Sequence, residues 1–83
     1  MNEALAPLPE LQPGIYRHFK GGEYELIGVA RCSETLQALV VYRPLYGAGE
    51  LWVRPWEMFT EQIMLDGVHQ PRFAALAVNT EKP

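Results

Sequence analysis

The side chains in this chain best placed to do chemistry are aromatic rings set beside arginines, and the chemistry they suit is noncovalent. Tyr42-Arg43, Trp52-Val53-Arg54 and Tyr16-Arg17-His18 put a ring next to a guanidinium on three separate stretches. A guanidinium stacked on a ring can grip an anionic or carbonyl group while the ring supplies contact area. Shallow grooves of this kind bind peptides, nucleobases or methylated amines. Along Leu51-Trp52-Val53-Arg54, strand alternation puts Trp52 and Arg54 on one face and Leu51 and Val53 on the other. Burying Arg54 unpaired would be costly. Leu51 and Val53 are therefore expected to point inward, and Trp52 and Arg54 to be exposed together. The expected groove is lined by Trp52, Arg54, Tyr42 and His18. In it Trp52 and Tyr42 stack, Arg54 meets the anionic or carbonyl group, and His18 hydrogen-bonds in either protonation state. A competing assignment makes Trp52, Tyr24 and Phe59 core residues and the arginines solvated strand faces, since so short a chain must spend several aromatics on its interior.

Covalent and metal chemistry find less support. His18, Cys32 and His69 are the natural metal ligands, but a structural zinc site takes four, usually in close pairs. No metal or other cofactor is expected. A nucleophilic cysteine needs an imidazole within reach and a group to orient it. In the hairpin described next, His18 lies several residues from Cys32 along the sheet. Cys32 therefore reads as a small, half-buried strand residue. Ser33 lacks the strand-to-helix elbow of a nucleophilic serine. No catalytic residue is assigned. Glu34, in Ser33-Glu34-Thr35, either closes a turn through side-chain hydrogen bonds to the backbone or contacts a ligand from a loop tip.

The elements that must carry these residues are mostly strands. Gly21-Gly22 separates residues 15–19 from 24–32, and a glycine pair supplies the positive φ of a two-residue hairpin turn. Pairing Lys20 with Glu23 would set His18 opposite Glu25 and Ile15 opposite Gly28. Gly28 suggests a bend or bulge in the second strand. Residues 39–43 form another strand, ended by Pro44, and Tyr46-Gly47-Ala48-Gly49 a turn before the strand at 51–54. Residues 55–65 fit either a helix or a 3₁₀ turn over 55–59 followed by a strand. The second is preferred, because several short strands need a partner to complete the sheet. Asp66-Gly67 then turns the chain, and His69 is read as lying in a turn.

Eighty-three residues, 48% hydrophobic and 20% charged, make one globular domain. Three prolines within residues 7–13 exclude a regular helix or central strand there. Residues 1–12 are read as an extended arm, 13–73 as the β-barrel domain and 74–83 as a tail. The net charge of −3 argues against nucleic acid and anionic membranes as partners. A single cysteine allows no internal disulfide, and the amino-terminal residues lack the basic start and apolar run of a signal peptide. A cytoplasmic protein is expected.

Tyr16 to Gly21 (YRHFKG), Gly28 to Thr35 (GVARCSET), Val40 to Gly47, Trp52 to Phe59 (WVRPWEMF) and Pro71 to Phe73 (PRF) follow one another in order. This order of motifs resembles an uncharacterised bacterial family, domain of unknown function 1653. The resemblance spans residues 13–73. The family has a histidine before Ser-Glu-Thr, where this chain has Cys32. The resemblance carries no known activity; it implies a small bacterial domain. The reading reached is an all-β, SH3-like, partly open barrel with a short 3₁₀ turn, acting as a noncovalent binding module. Its expected partner is a protein or peptide rather than nucleic acid, with no membrane. The alternative is a structural module that forms a homodimer or a subunit of a larger complex.

Overall fold

Short apolar runs punctuated by glycine and proline cannot build long elements, and the described residues fold into seven strands and one helical turn. In the computed structural model, residues 6–78 are described. The elements are β1 (Gly14–His18), β2 (Glu23–Arg31), β3 (Ala38–Pro44), β4 (Trp52–Pro55), α1 (Trp56–Phe59), β5 (Gln62–Leu65), β6 (Val68–Pro71) and β7 (Phe73–Val78). Five strands form one antiparallel sheet in the order β4-β3-β2-β1-β7, and β5 and β6 pair separately. The all-β architecture is the one expected. The sheet stays open and does not close into a barrel: its edge β4 is four residues long and ends at Pro55, which has no N–H to extend a ladder.

The first hairpin forms, but in a different register. Arg17 pairs with Glu23 and Tyr16 with Tyr24. The His18 amide donates to the Gly22 carbonyl (2.8 Å) and the Gly21 amide to the His18 carbonyl (2.7 Å). The loop is thus Phe19-Lys20-Gly21, and Gly21 alone carries the positive φ, at 110°. On β2, Leu26 pairs with Tyr42 and Gly28 with Val41, which leaves Ile27 as the extra residue of a bulge. That insertion keeps Leu26 and Val29, the partner of Val40, on one face.

After Pro55 the chain makes a single α turn rather than the 3₁₀ turn expected. The Thr60 amide reaches back four residues to the Trp56 carbonyl (3.0 Å), and the Thr60 hydroxyl donates to the same oxygen (2.9 Å). Strands β5 and β6 follow as expected, turning at Asp66 and Gly67, both with positive φ. His69 lies within β6, paired with Met64, and not in a turn as expected, because the turn is confined to Asp66 and Gly67. The apolar run placed in a tail is strand β7, paired to β1 from His18–Phe73 to Gly14–Val78. Of the amino-terminal arm, residues 6–12 form no regular element. The Ala6 carbonyl accepts from Arg31 (2.7 Å), the Gln12 carbonyl accepts from the Tyr16 hydroxyl (2.8 Å), and Leu11 packs on the core. The polar stretch after residue 78 and residues 1–5 lie outside the described residues.

Tyr16, Leu26, Val40, Tyr42, Phe59 and Phe73 form the core. Phe59, delivered by α1, stacks on Phe73 with ring centres 4.0 Å apart and planes 5° apart. Tyr16, Tyr42 and Tyr24 meet these two rings edge-on. A core this rich in rings leaves aromatic edges and faces at the sheet's open side, and the candidate site stands there.

Candidate functional site

Strand pairing brings three of the expected residues to one place. Tyr42 on β3 pairs with Trp52 on β4, and Trp52 packs edge-on against Tyr42 (6.0 Å) and beside Tyr24 (6.2 Å). Two residues on, the Arg54 Nε donates to the Tyr42 hydroxyl (3.3 Å), and its guanidinium lies 5.5 Å from the centre of the Phe73 ring. His18, at the end of β1, meets Phe73 edge-on at 4.9 Å. Phe73 thus contacts both Arg54 and His18.

The faces of β4 are reversed from the sequence expectation. Val53 and Leu51 are 58% and 63% exposed, whereas Trp52 and Arg54 sit on the inner side with Tyr42. Arg54 tolerates this position because ring faces and a hydroxyl receive its guanidinium beside an open sheet edge. Trp52 is nonetheless 43% exposed, since it lies at the sheet's end beyond the core. Tyr42 is a core residue, 3% exposed, and bears on the groove by holding Arg54 and backing Trp52. Glu34 is not brought in. It lies in the turn beyond β2, past the Arg31–Ala38 pair, whereas Tyr24 and Trp52 lie toward the other end. Eight strand residues span roughly 26 Å.

Three further residues complete the site. The Lys20 ammonium and the Arg72 guanidinium lie over the Phe19 ring at 5.8 and 5.9 Å. Phe73, the next residue after Arg72, carries Arg54. Lys20 and Arg72 sit in a turn and a bend, so no periodic pattern marked them; the adjacency Arg72-Phe73 repeats the ring-beside-arginine signal and could have. The Lys20 amide donates to His18 Nδ1 (3.1 Å). That bond assigns the proton of the neutral ring to Nε2. Burial, followed by the charges of Arg54, Arg72 and Lys20, holds the imidazole below its ordinary pKa of 6.5.

Arg54 differs from the other arginines in its company. Arg17 pairs with Glu23 (2.7 Å), Arg43 with Glu25 (2.7 Å) and Arg72 with Glu61 (3.1 Å). Arg31 donates to the Leu36 and Ala6 carbonyls. Among the described residues Arg54 has no carboxylate partner, and its one side-chain hydrogen bond there is to the Tyr42 hydroxyl.

Trp52 also borders an open pocket of about 110 Å³ formed by loop 44–52, lined by Pro44, Tyr46, Gly47, Gly49, Glu50 and Trp52 among others. The Tyr46 hydroxyl lies 2.6 Å from that of Tyr24. Burial, and then this hydrogen bond, push the Tyr24 phenol up to about 12, so it stays protonated.

Cys32 stands apart from the groove. It is partly buried, one residue beyond β2, and closes a turn: its amide donates to the Gln37 carbonyl (2.9 Å) and its carbonyl accepts from Leu36 (2.8 Å). Hydrogen bonds from the Thr35 hydroxyl, and then from the Thr35 and Glu34 amides, lower the thiol pKa. Among the described residues no group of three or more His, Cys, Asp or Glu side chains gathers into a metal site. No helix of the described residues is long and apolar enough to cross a membrane.

These features define a small, compact all-β domain with an open antiparallel sheet. The chain belongs to the DUF1653 family, proteins of unknown function, whose family model matches residues 14–75, as the motifs from Tyr16 to Phe73 indicated. It is similar to the crystal structure of a DUF1653 protein from Bordetella bronchiseptica, a bacterial protein. The two share 35% sequence identity over 87% of this chain and 95% of that one, with a TM-score of 0.74. A comparison with curated proteins finds no match.

Proposed function

We propose that this domain is a noncovalent binding module whose groove, lined by Trp52, Arg54 and His18 and backed by Tyr42, takes an acidic or carbonyl-bearing segment of a protein. The observation that carries this reading is the company of Arg54. Its guanidinium rests on Phe73, is tethered by a single bond to Tyr42, and lacks the carboxylate that three of the other arginines possess. A ring-stacked guanidinium is held in place before the ligand arrives, so less freedom is lost on binding. Trp52 offers a half-exposed ring at one side, and His18 a neutral Nε2–H donor at the other. Lys20 and Arg72 add positive potential, which favours an anionic partner although the whole chain is acidic. A protein segment suits the groove better than nucleic acid because that net negative charge opposes a polyanion.

Thermal-shift measurements with a panel of acidic peptides test the reading. A bound peptide should raise the melting temperature in a concentration-dependent way. Arg54→Gln should abolish the rise while the free protein melts near the wild-type temperature, and Arg54→Lys should restore only part of it. Rises that persist unchanged in Arg54→Gln would remove Arg54 from the site. Trp52→Ala should weaken binding by ~1–3 kcal/mol where a planar group stacks on the indole.

A second reading, self-association, draws on β7. This edge strand carries no charged residue and no proline, the devices that usually protect a sheet edge, and Leu76 is exposed. A concentration-dependent mass in sedimentation would favour it.

A further inference from the structure

We propose that loop 44–52 holds a second subsite, bordered by Trp52, which takes an alkylammonium cation. The shared chemistry is that of a lysine-type head group or a free quaternary ammonium. This subsite shares Trp52 with the groove but does not depend on Arg54.

Size sets the first limit. The pocket holds about 110 Å³, well below the ~300–1,000 Å³ of sites that enclose a whole small molecule. It therefore suits one head group. Its walls set the second. Trp52 and Tyr46 both line it, and the negative faces of such rings attract a cation. The hydroxyl between Tyr46 and Tyr24 is already committed at 2.6 Å, so Tyr46 offers chiefly its ring.

Charge decides the sign of the ligand. Glu50 lines the pocket, is exposed, and pairs with no cation among the described residues, where the ion pairs engage Glu23, Glu25 and Glu61. Arg43 is a cation beside the loop, and its Nη1 would stand 3.4 Å from a Cβ placed on Gly49. Arg43 is already occupied by Glu25, through Nε at 2.9 Å and Nη2 at 2.7 Å. Two rings and one unbalanced carboxylate favour a cation and repel an anion. Gly47 and Gly49, with φ of 64° and 67°, give the loop a left-handed backbone that side-chain-bearing residues rarely adopt. The shape is therefore built into the loop.

The test is a titration of the full chain with choline, followed by amide resonances, alongside 3,3-dimethylbutan-1-ol, its neutral isostere. Choline should move resonances of residues 44–52 saturably, and the alcohol should bind about tenfold more weakly or worse. Glu50→Gln should weaken choline binding by about threefold or more, and Tyr46→Leu by about tenfold, with dispersed spectra in both. If Tyr46→Leu loses its fold, Glu50→Gln alone carries the comparison. Acetyl-lysine amide and its Nε-trimethyl form, with free α-groups blocked, distinguish the sources. Binding of either points to a protein side chain, whereas binding of choline alone points to a free quaternary ammonium. Equal shifts for choline and the alcohol, no saturable shift, or shifts centred on Phe19 and Arg54 would overturn the proposal. Arg54→Gln should leave choline binding within about twofold of wild type, which separates failure of this subsite from failure of the groove.

Discussion

His18 stands among Arg54, Arg72 and Lys20, and its titration reports on all of them. Its pKa in the fold lies below the ordinary 6.5, first through burial and then through those charges. The unfolded chain therefore binds the proton more readily than the folded one. Stability from this site is full above pH 6.5 and falls as the pH drops through 6.5 toward the folded pKa. Urea midpoints between pH 7.5 and 5.5 should decline for the wild type, and His18→Gln should flatten that decline. Equal slopes for the two proteins would show that the imidazole feels no such field. An anionic ligand opposes the cations and should raise the same pKa, so its binding should strengthen as the pH falls across this range. At this scale the sequence was informative where residue types are rare and strand spacing links them: Trp52 and Arg54 share one face of β4, and Arg54 and His18 both contact Phe73. It set Tyr42 in the groove as a stacking ring, whereas Tyr42 is a core residue whose hydroxyl accepts from Arg54. It also grouped Glu34 with residues at the other end of the sheet, because adjacency to a turn says nothing about which end that turn occupies.

Elements were legible wherever glycine and proline punctuate the chain, and their registers were not. A glycine pair allows two loops: a two-residue turn using both, or a three-residue loop using the first. The chain adopts the second, and Gly21 takes a φ of 110° while Gly22 does not have a positive φ. Gly21→Val should therefore cost about 1–3 kcal/mol, the range for a side chain forced into such a conformation. Gly22→Ala acts differently, since its Cβ would stand 3.2 Å from the Tyr24 hydroxyl and 3.3 Å from the ring. It should shift the Tyr24 ring, and with it Tyr46, more than it destabilises the fold. Urea midpoints for the two variants check the ranking, and an unchanged midpoint for Gly21→Val would contradict the loop. The bulge at Ile27 was foreseeable from Gly28. Strand β7 was missed because uniform apolarity shows neither strand alternation nor a turn signal, and the family motifs stop at Phe73.

For the molecule as a whole, the short strand patterns pointed correctly to a small all-β domain, while an open or closed sheet depends on distant edges that no local pattern records. The core is small enough that one ring matters greatly. Phe59 is 2% exposed and stacks on Phe73. Phe59→Ala should cost about 3–5 kcal/mol, against a total near 4–12 kcal/mol for a chain of this length. Circular dichroism and urea unfolding should show a strongly lowered midpoint or a largely unfolded chain. A near-wild-type midpoint would mean that the stacked pair is not the keystone of the core. The place of β7 also bears on the order of events in time. Hairpins β1–β2 and β2–β3 join neighbours in sequence, but β1 receives its second partner from the opposite end of the chain, Gly14 meeting Val78. Closing that long loop carries an entropy cost that the two local hairpins escape, and pairings so distant in sequence slow folding. Phe73 sits in the core and is carried on β7, so core and sheet should close together, and refolding followed by Trp52 fluorescence should run as a single phase.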